Sequence, residues 1–549
     1  MKVVLLALSS RYIHLSAAPY YLASELSGYD ACVLDHSVNE TAESILSDIL
    51  SHKPDVLGLS VYIWNISFLR TLVPKIKEAL PKTHIVLGGP EVSYNVKETL
   101  RDFPYAFILS GEGEIPFRLF CEAARDNASF DTVPACSYIK NDGSMRSSDA
   151  YIGEGTPKSP LLSGYAEALK GRIAYIEASR GCPYTCAFCL SGRCGGVRFF
   201  NMESVKADIL ALSNVSRTLK FVDRTFNANR SRTLELLRFI LSHYGKEIPE
   251  GTCFHFEIAG ELLDEETLSL LETAPRGVFQ TEIGIQSFHA PTLKAIHRSS
   301  KIERLVKNVR RLLEAGNIHV HIDLIAGLPE EDLSTFKESF RKAYALSPHM
   351  LQLGFLKLLH GAPMREKREL FPCEFTADPP YEVTSTPWIS EEELLLIHTV
   401  EKALDRFYNS RRYTRTLSLY KDEPFGLFLA LGERLDTEEK PITLDGEISL
   451  IYQLFKELGI DENALRDALL LDFLSTNSSR LTPTVLRRED ARLKRVKQDL
   501  AVRFPVQNGV RRAVALLSGE RVAFVDYIQK DSVSQSYPVR VFPLSEILT

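Results

Sequence analysis

The chain has 549 residues, 45% of them hydrophobic and 25% charged, with a net charge of −6 from 65 basic and 71 acidic side chains. This size suits about three or four domains with a deep core, and the composition excludes a disordered chain or one that recruits nucleic acid by global charge. Val3–Leu8 is too short for a secretory core and no apolar run approaches the roughly 20 residues of a membrane span, so a cytoplasmic protein without membrane partners is expected.

Through residues 1–126, short apolar runs alternate with helix-length amphipathic stretches, the pattern of a doubly wound parallel sheet in an α/β domain. Strands are expected from Lys2, Asp30, Asp55, Thr83 and Tyr105. Ile66–Leu80 has helical spacing, although Pro74 argues against one unbroken helix. Ligands of such sheets bind beyond the carboxyl ends of the strands. Those ends contain Ser60, Gly88, Gly89, Gly111 and Glu112. The glycines would let backbone approach a large ligand closely, or would simply make tight βα turns. Residues 127–171 read as a linker with one hairpin at Asn141-Asp-Gly143.

The most informative run is Arg180-Gly-Cys-Pro-Tyr-Thr-Cys-Ala-Phe-Cys-Leu190, which follows the apolar strand Ile173–Ile176. Cys182, Cys186 and Cys189 give the spacing C-x3-C-x2-C. Three thiolates on one loop can hold three corners of a [4Fe-4S] cubane and leave the fourth iron open as a binding position. A structural zinc site would recruit Cys194 but lacks a second paired unit, and an odd number of thiols on a tight loop argues against a disulfide. Cys194 is read as a bystander or redox-sensitive thiol. From Arg172 to Leu359 the alternation suits a partial barrel of six βα units, with strands at Leu219–Val222, Cys253–Ile258, Phe279–Ile285, His319–Ile325 and Leu351–Leu356 after the cluster strand. Polar residues sit at their carboxyl ends, where functional groups of parallel barrels collect.

The cysteine loop, with Phe188 before its last cysteine, resembles the signature of the radical S-adenosylmethionine (SAM) superfamily. With the domain ahead of it, the chain is similar to the branch that places a cobalamin-binding domain before the radical SAM core. Gly88-Gly-Pro-Glu91 and Gly111-Glu-Gly-Glu114 match that branch, and the resemblance covers residues 1–359. It implies that the cluster's open iron chelates SAM and that one electron cleaves it to a 5′-deoxyadenosyl radical. It places Phe188 near adenine, Asp223 at the SAM amino group, and Glu282, Gln286 and Ser287 at the ribose or carboxylate. Arg298 would pair with that carboxylate, and the backbone of Asp323–Pro329, including Ile325 and Gly327, would lie along adenine. The D-x-H-x-x-G motif is absent, so cobalt would not be coordinated by histidine; His14 and His36 read as ordinary loop residues.

These features imply a cobalamin-dependent radical SAM enzyme, with methyl transfer to an unactivated carbon as the leading reaction, an unknown substrate and an electron donor such as flavodoxin or ferredoxin. A cobalamin-independent enzyme of the methylthiotransferase kind stays open but is disfavoured, because Cys32, Cys121 and Cys136 are poorly placed to share a second cluster. A non-catalytic iron–sulfur or cobalamin-responsive binding protein is the other alternative. Residues 360–549 are expected to be a mostly helical extension of unknown function, closing in a β-hairpin around Ser518-Gly-Glu520. Its run Arg406–Arg415 interleaves cations with aromatics, which could suit RNA, and Arg487–Lys497 is similarly basic; a solvated helix face is the favoured reading of both.

Overall fold

The computed structural model describes residues 1–298, 301–437, 442–479, 481–488, 490–506 and 509–548, without the Cys194 side chain. The reading of Cys194 therefore lies outside the described residues. Strands β1 (Lys2–Ser9), β2 (Asp30–Ser37), β3 (Val56–Ser60), β4 (His84–Gly88) and β5 (Phe107–Leu109) start within two residues of the positions expected. They pair in parallel in the order 2-1-3-4-5. Val3, Val4, Leu5, Leu6, Val56 and Leu57 are fully buried because apolar side chains cover both faces of the sheet. The helix Ile66–Ala79 runs through Pro74 without a break, its stripe Leu69, Leu72, Val73 and Ile76 buried against the sheet. Burial of that stripe outweighs the one hydrogen bond that proline removes. The hairpin expected in the linker forms as β6 (Cys136–Ile139) and β7 (Met145–Arg146), but it extends the first sheet by antiparallel pairing with β5.

A second sheet begins at β8 (Ala174–Ile176). It is followed by a ribbon of β9 (Ser179–Gly181) and β10 (Val197–Phe199), which pair antiparallel outside the barrel wall. The wall continues as β11 (Thr218–Phe221), β12 (Cys253–Glu257), β13 (Phe279–Gln286), β14 (His319–Ala326) and β15 (Met350–Phe355). With β8 these make six parallel strands in sequential order, an open barrel wall. Residues 219, 221, 254, 256, 279, 320 and 322 face outward into the main apolar core under the helices, so their neighbours at alternate positions face inward.

The extension continues the same core: Phe425, Phe428, Ile448, Ile451 and Leu469 belong to one cluster with Phe340 and Leu353 of the barrel. After five longer helices it closes in a three-stranded antiparallel sheet that includes the hairpin at Ser518-Gly-Glu520. The cationic–aromatic run is partly solvated, and its cations also meet buried acids. Arg406 and Arg412 pair with buried Glu447 at 2.6 and 2.9 Å, Tyr413 donates to the same carboxylate, and Arg415 pairs with buried Asp472. The alternation supplies counter-charges to acids that would otherwise be desolvated alone. Among the described residues, no helix is long and apolar enough to cross a membrane.

Candidate active site

The cysteine loop is the tip of the β9–β10 ribbon, so ladder hydrogen bonds fix both of its ends. Cys182, Cys186 and Cys189 are all free thiols. Burial raises the Cys186 thiol, Arg298 opposes that shift, and Cys189 and Cys182 add to it. Further anchors are Ala187 N–H to Ile296 O at 3.1 Å and Met364 N–H to Ala187 O at 2.9 Å. Phe188 packs, half-buried, against the main core.

Asp223, at the end of β11, is 2% exposed. Its two carboxylate oxygens accept from Ala178 N–H at 2.9 Å and from the Ser179 hydroxyl. Burial pushes its carboxyl up to about 7 despite those bonds. Asp223, expected to meet the SAM amino group, holds the turn that launches the cysteine loop with both of its carboxylate oxygens.

The fourth barrel strand also distributes its polar groups differently from expectation. Gln286 has φ +71° at a β-bulge, and its Oε1 is buried without a hydrogen-bond partner. The bulge turns Ser287 away from the barrel interior, where its hydroxyl donates to Glu331 at 2.6 Å. Glu282 faces inward and lies among Lys220 (3.2 Å), His255 (3.0 Å) and His321 (3.8 Å), below the strand ends. Burial alone would raise this carboxyl, but His255, Lys220 and His321 together hold it at about 2. Arg298 donates to Gly284 O and approaches Cys186 Sγ at 3.7 Å. Beside it, Glu261, Gly284, Ile285 and Leu293 line a small cleft of about 10 Å³, into whose neighbourhood Glu261 brings an unpartnered Oε2. Ile325 is half-buried on the inner face of β14. A Cβ at Gly327, with φ +81°, would lie 2.5 Å from Val383 of the extension, so this glycine accommodates protein.

The first sheet presents its carboxyl ends to the barrel mouth. His14 Nδ1 lies 2.6 Å from Tyr175 Oη on β8, and Arg172 pairs with Asp35 at 2.6 Å. His14 is thus an interdomain contact, while both ring nitrogens of His36 are engaged by Glu40 and Asp48. Arg180 on the ribbon lies among Glu112 (2.6 Å), Glu114 (2.7 Å) and Glu177 (2.7 Å), and Arg198 shares Glu112. Glu112, expected at a cofactor, therefore clamps the first sheet to the cysteine ribbon. A Cβ on Gly89 would lie 2.5 Å from Val61 O, and one on Gly111 2.3 Å from Tyr151 O, both at positive φ. At these two positions the glycines admit neighbouring backbone, the tight-turn alternative. Gly88 O accepts from Val61 N–H, and Ser60 O accepts from the buried Asn65 side chain.

Ser9 and Ser110, at the ends of β1 and β5, carry buried hydroxyls with no hydrogen-bond partner. Exposed Tyr12 and Trp64 flank the same edge. Orphaned donors beneath an aromatic rim fit a polar ligand at this crevice. Arg224, just past the end of β11, is 56% exposed and lies 3.5 Å from Glu257 at the end of β12. Sequence reasoning missed Asn65, Arg180 as a clamp, Arg224 and the group Lys220, His255 and His321. The last was available as polar residues alternating along adjacent inward-facing strands.

Three family models match: the B12 binding domain at residues 4–120, the radical SAM superfamily at 176–343 and a protein family of unknown function, DUF4080, at 369–515. Cobalamin-dependent radical SAM methyltransferase TokK of Streptomyces tokunonensis is 26% identical over 61% of this chain and 50% of its own length. The 2-(S-pantetheinyl)-carbapenam-3-carboxylate methyltransferase of Streptantibioticus cattleyicolor is 25% identical over 72% and 63% respectively, so this chain spans about half to under two thirds of these relatives. Among solved structures, the methyltransferase TsrM of Kitasatospora setae aligns with a TM-score of 0.57 at 19% identity, covering 68% of this chain and 77% of that one. The cobalamin-dependent SAM radical enzyme OxsB aligns with a TM-score of 0.57 at 18% identity, covering 86% and 75%. These likenesses establish the fold.

Proposed function

We propose that this chain, a radical SAM protein with a B12 binding domain ahead of its barrel, is a cobalamin-dependent radical SAM enzyme that transfers a methyl group to an unactivated carbon. The reading is carried by three free thiols at C-x3-C-x2-C spacing on one ribbon tip, tied to the first sheet through Arg180 with Glu112 and Glu114. The donor set suits a [4Fe-4S] cluster with one open iron, and the orphaned Ser9 and Ser110 hydroxyls suit a polar cofactor over the first sheet. Cys32 packs with the cluster of apolar side chains on one face of that sheet, whereas Cys121 and Cys136 pack on the other. That separation argues against a second cluster and hence against the methylthiotransferase-like reading.

When bound, the cluster would supply an electron that splits SAM, and cobalamin would carry the methyl group. The chain's own residues orient and enclose. Asp223 fixes the Ala178–Ser179 turn and so the start of the cysteine loop. The Arg180 clamp holds that loop in register with the first sheet. Arg298 places a positive charge beside Cys186, in reach of a carboxylate in the adjoining cleft. Arg224 and Glu257, 3.5 Å apart, form an ion pair at the carboxyl ends of β11 and β12.

The test is anaerobic purification, reconstitution with iron and sulfide, and ultraviolet–visible spectra with and without hydroxocobalamin, with 5′-deoxyadenosine measured after adding SAM and dithionite. Retained corrin together with SAM cleavage is expected. SAM cleavage without corrin would refute cobalamin dependence, and absence of both would leave a cluster-binding protein at most.

A further inference from the structure

Well inside the barrel, a second group of potential ligands converges away from the cysteine loop. Glu282 and His321 are register partners on adjacent strands, and Asp323 follows two residues later. The two-residue period of a strand puts all three on the inner face. His321 is only 7% exposed. Its Nε2 lies 2.9 Å from Asp323 Oδ1. The two atoms face each other as an ion pair, but the ring N–H does not point along the contact, so neither is fully satisfied by it.

The same spacing has a constructive meaning. Two ligands bonded to one ion at about 2.1 Å and at right angles lie about 3 Å apart. One ligand atom each from Glu282, His321 and Asp323 falls within 4.8 Å of the others. Glu282 Oε2, which also accepts from His255 Nε2 and Lys220 Nζ, lies 3.8 Å from His321 Nδ1.

We propose that Glu282, His321 and Asp323 form a divalent-metal site within the barrel, separate from the cysteine loop. Two carboxylates and an imidazole, without thiolate, select a borderline ion of the zinc or cobalt kind. Three protein ligands leave coordination positions open for an oxygen or nitrogen of a substrate. Lys220 sets a limit on affinity, because its ammonium shares Glu282 and repels the ion. Weakly bound magnesium should therefore fail where zinc succeeds.

The full chain, reconstituted with iron and sulfide, equilibrated with Zn²⁺ and desalted, should carry a single zinc beside its cluster iron when measured by plasma mass spectrometry. H321Q and D323N should lose that zinc and keep the iron. K220M should bind zinc on the order of tenfold more tightly, since a nearby like charge is gone. That gain cannot be mimicked by misfolding. The C182A/C186A/C189A chain should still bind zinc, and with Co²⁺ it should show ligand-field absorption without thiolate charge transfer. No zinc beyond the cluster iron, zinc retained in both H321Q and D323N, or zinc lost with the three cysteines would each overturn the site. Because iron and zinc are counted separately, failure here is distinguishable from failure of the radical SAM reading.

Discussion

Replacing Asp223 by Asn separates a residue that builds the cysteine loop from one that binds SAM. The carboxylate accepts two bonds from buried donors, Ala178 N–H and the Ser179 hydroxyl. Asparagine keeps the shape and its oxygen accepts from Ala178 N–H, but its NH₂ must donate to the Ser179 hydroxyl, which has to turn and give up its own donation. Losing that bond costs about 0.5–1.5 kcal/mol. A second signature comes from the raised carboxyl, which stands at about 7 against an ordinary 3.8. Between those values the unfolded chain has lost a proton that the native chain retains. Stability therefore falls as pH rises through that window, by about 4 kcal/mol on an order-of-magnitude conversion of the shift. D223N removes the proton and with it this slope. Anaerobic thermal unfolding of the reconstituted chain between pH 5 and 8, with iron content measured alongside, reads both effects. D223N should unfold at lower temperature at pH 5, lose cluster iron faster and vary less with pH. Intact iron, an unchanged pH slope and a selective loss of SAM affinity would refute this reasoning and return Asp223 to the SAM amino group.

E112Q should leave Arg180 with Glu114 and Glu177 but deprive Arg198 of its carboxylate, at about 1–3 kcal/mol, and increase hydrogen exchange in the β9–β10 ribbon. Unchanged exchange would show that the clamp does not tie the ribbon down. G89A forces a side chain to φ +110° with its Cβ 2.5 Å from Val61 O. It should reduce hydroxocobalamin retention while cluster iron is preserved; equal retention would place the corrin elsewhere. E447Q leaves two guanidinium groups beside a neutral amide and should destabilise the extension by about 3 kcal/mol, the low end of a broken buried pair because Arg406 and Arg412 are each one-third exposed. Guanidinium unfolding followed by intrinsic fluorescence checks this value, and an unchanged midpoint would contradict it.

The fold was largely legible because its signals are local. Doubly apolar runs such as Val56–Leu59 mark covered parallel strands, and Asn141-Asp-Gly143 marks a turn regardless of what surrounds it. The cysteine spacing was equally local, since its meaning lies in three residues on one loop. What the neighbouring polar residues face was not legible. Asp223, Ser287 and Glu112 stand at strand ends, where a ligand or another segment of protein can take the same hydrogen bonds. Their partners Ser179, Glu331 and Arg180 are set by a ribbon that folds back, a bulge at Gln286 and the docking of two sheets. Arg406–Arg415 misleads for the same reason, because its counter-charge Glu447 is supplied by a helix that the run itself does not reveal.

The segment at the start of the DUF4080 match, residues 364–383, bears directly on the site. Met364 donates its N–H to Ala187 O within the cysteine loop, and Arg193 of that loop pairs with Glu366. Val383 packs over Gly327 at the end of β14, while Tyr381 donates to the buried Glu91 beside the β4 crevice. Residues 364–383 thus touch the cysteine loop, the barrel and the first sheet together. A shift of this segment must move at least one of the three, because close-packed contacts transmit displacement instead of absorbing it. The extension consequently sets the spacing between the cysteine loop and the carboxyl ends of the first sheet.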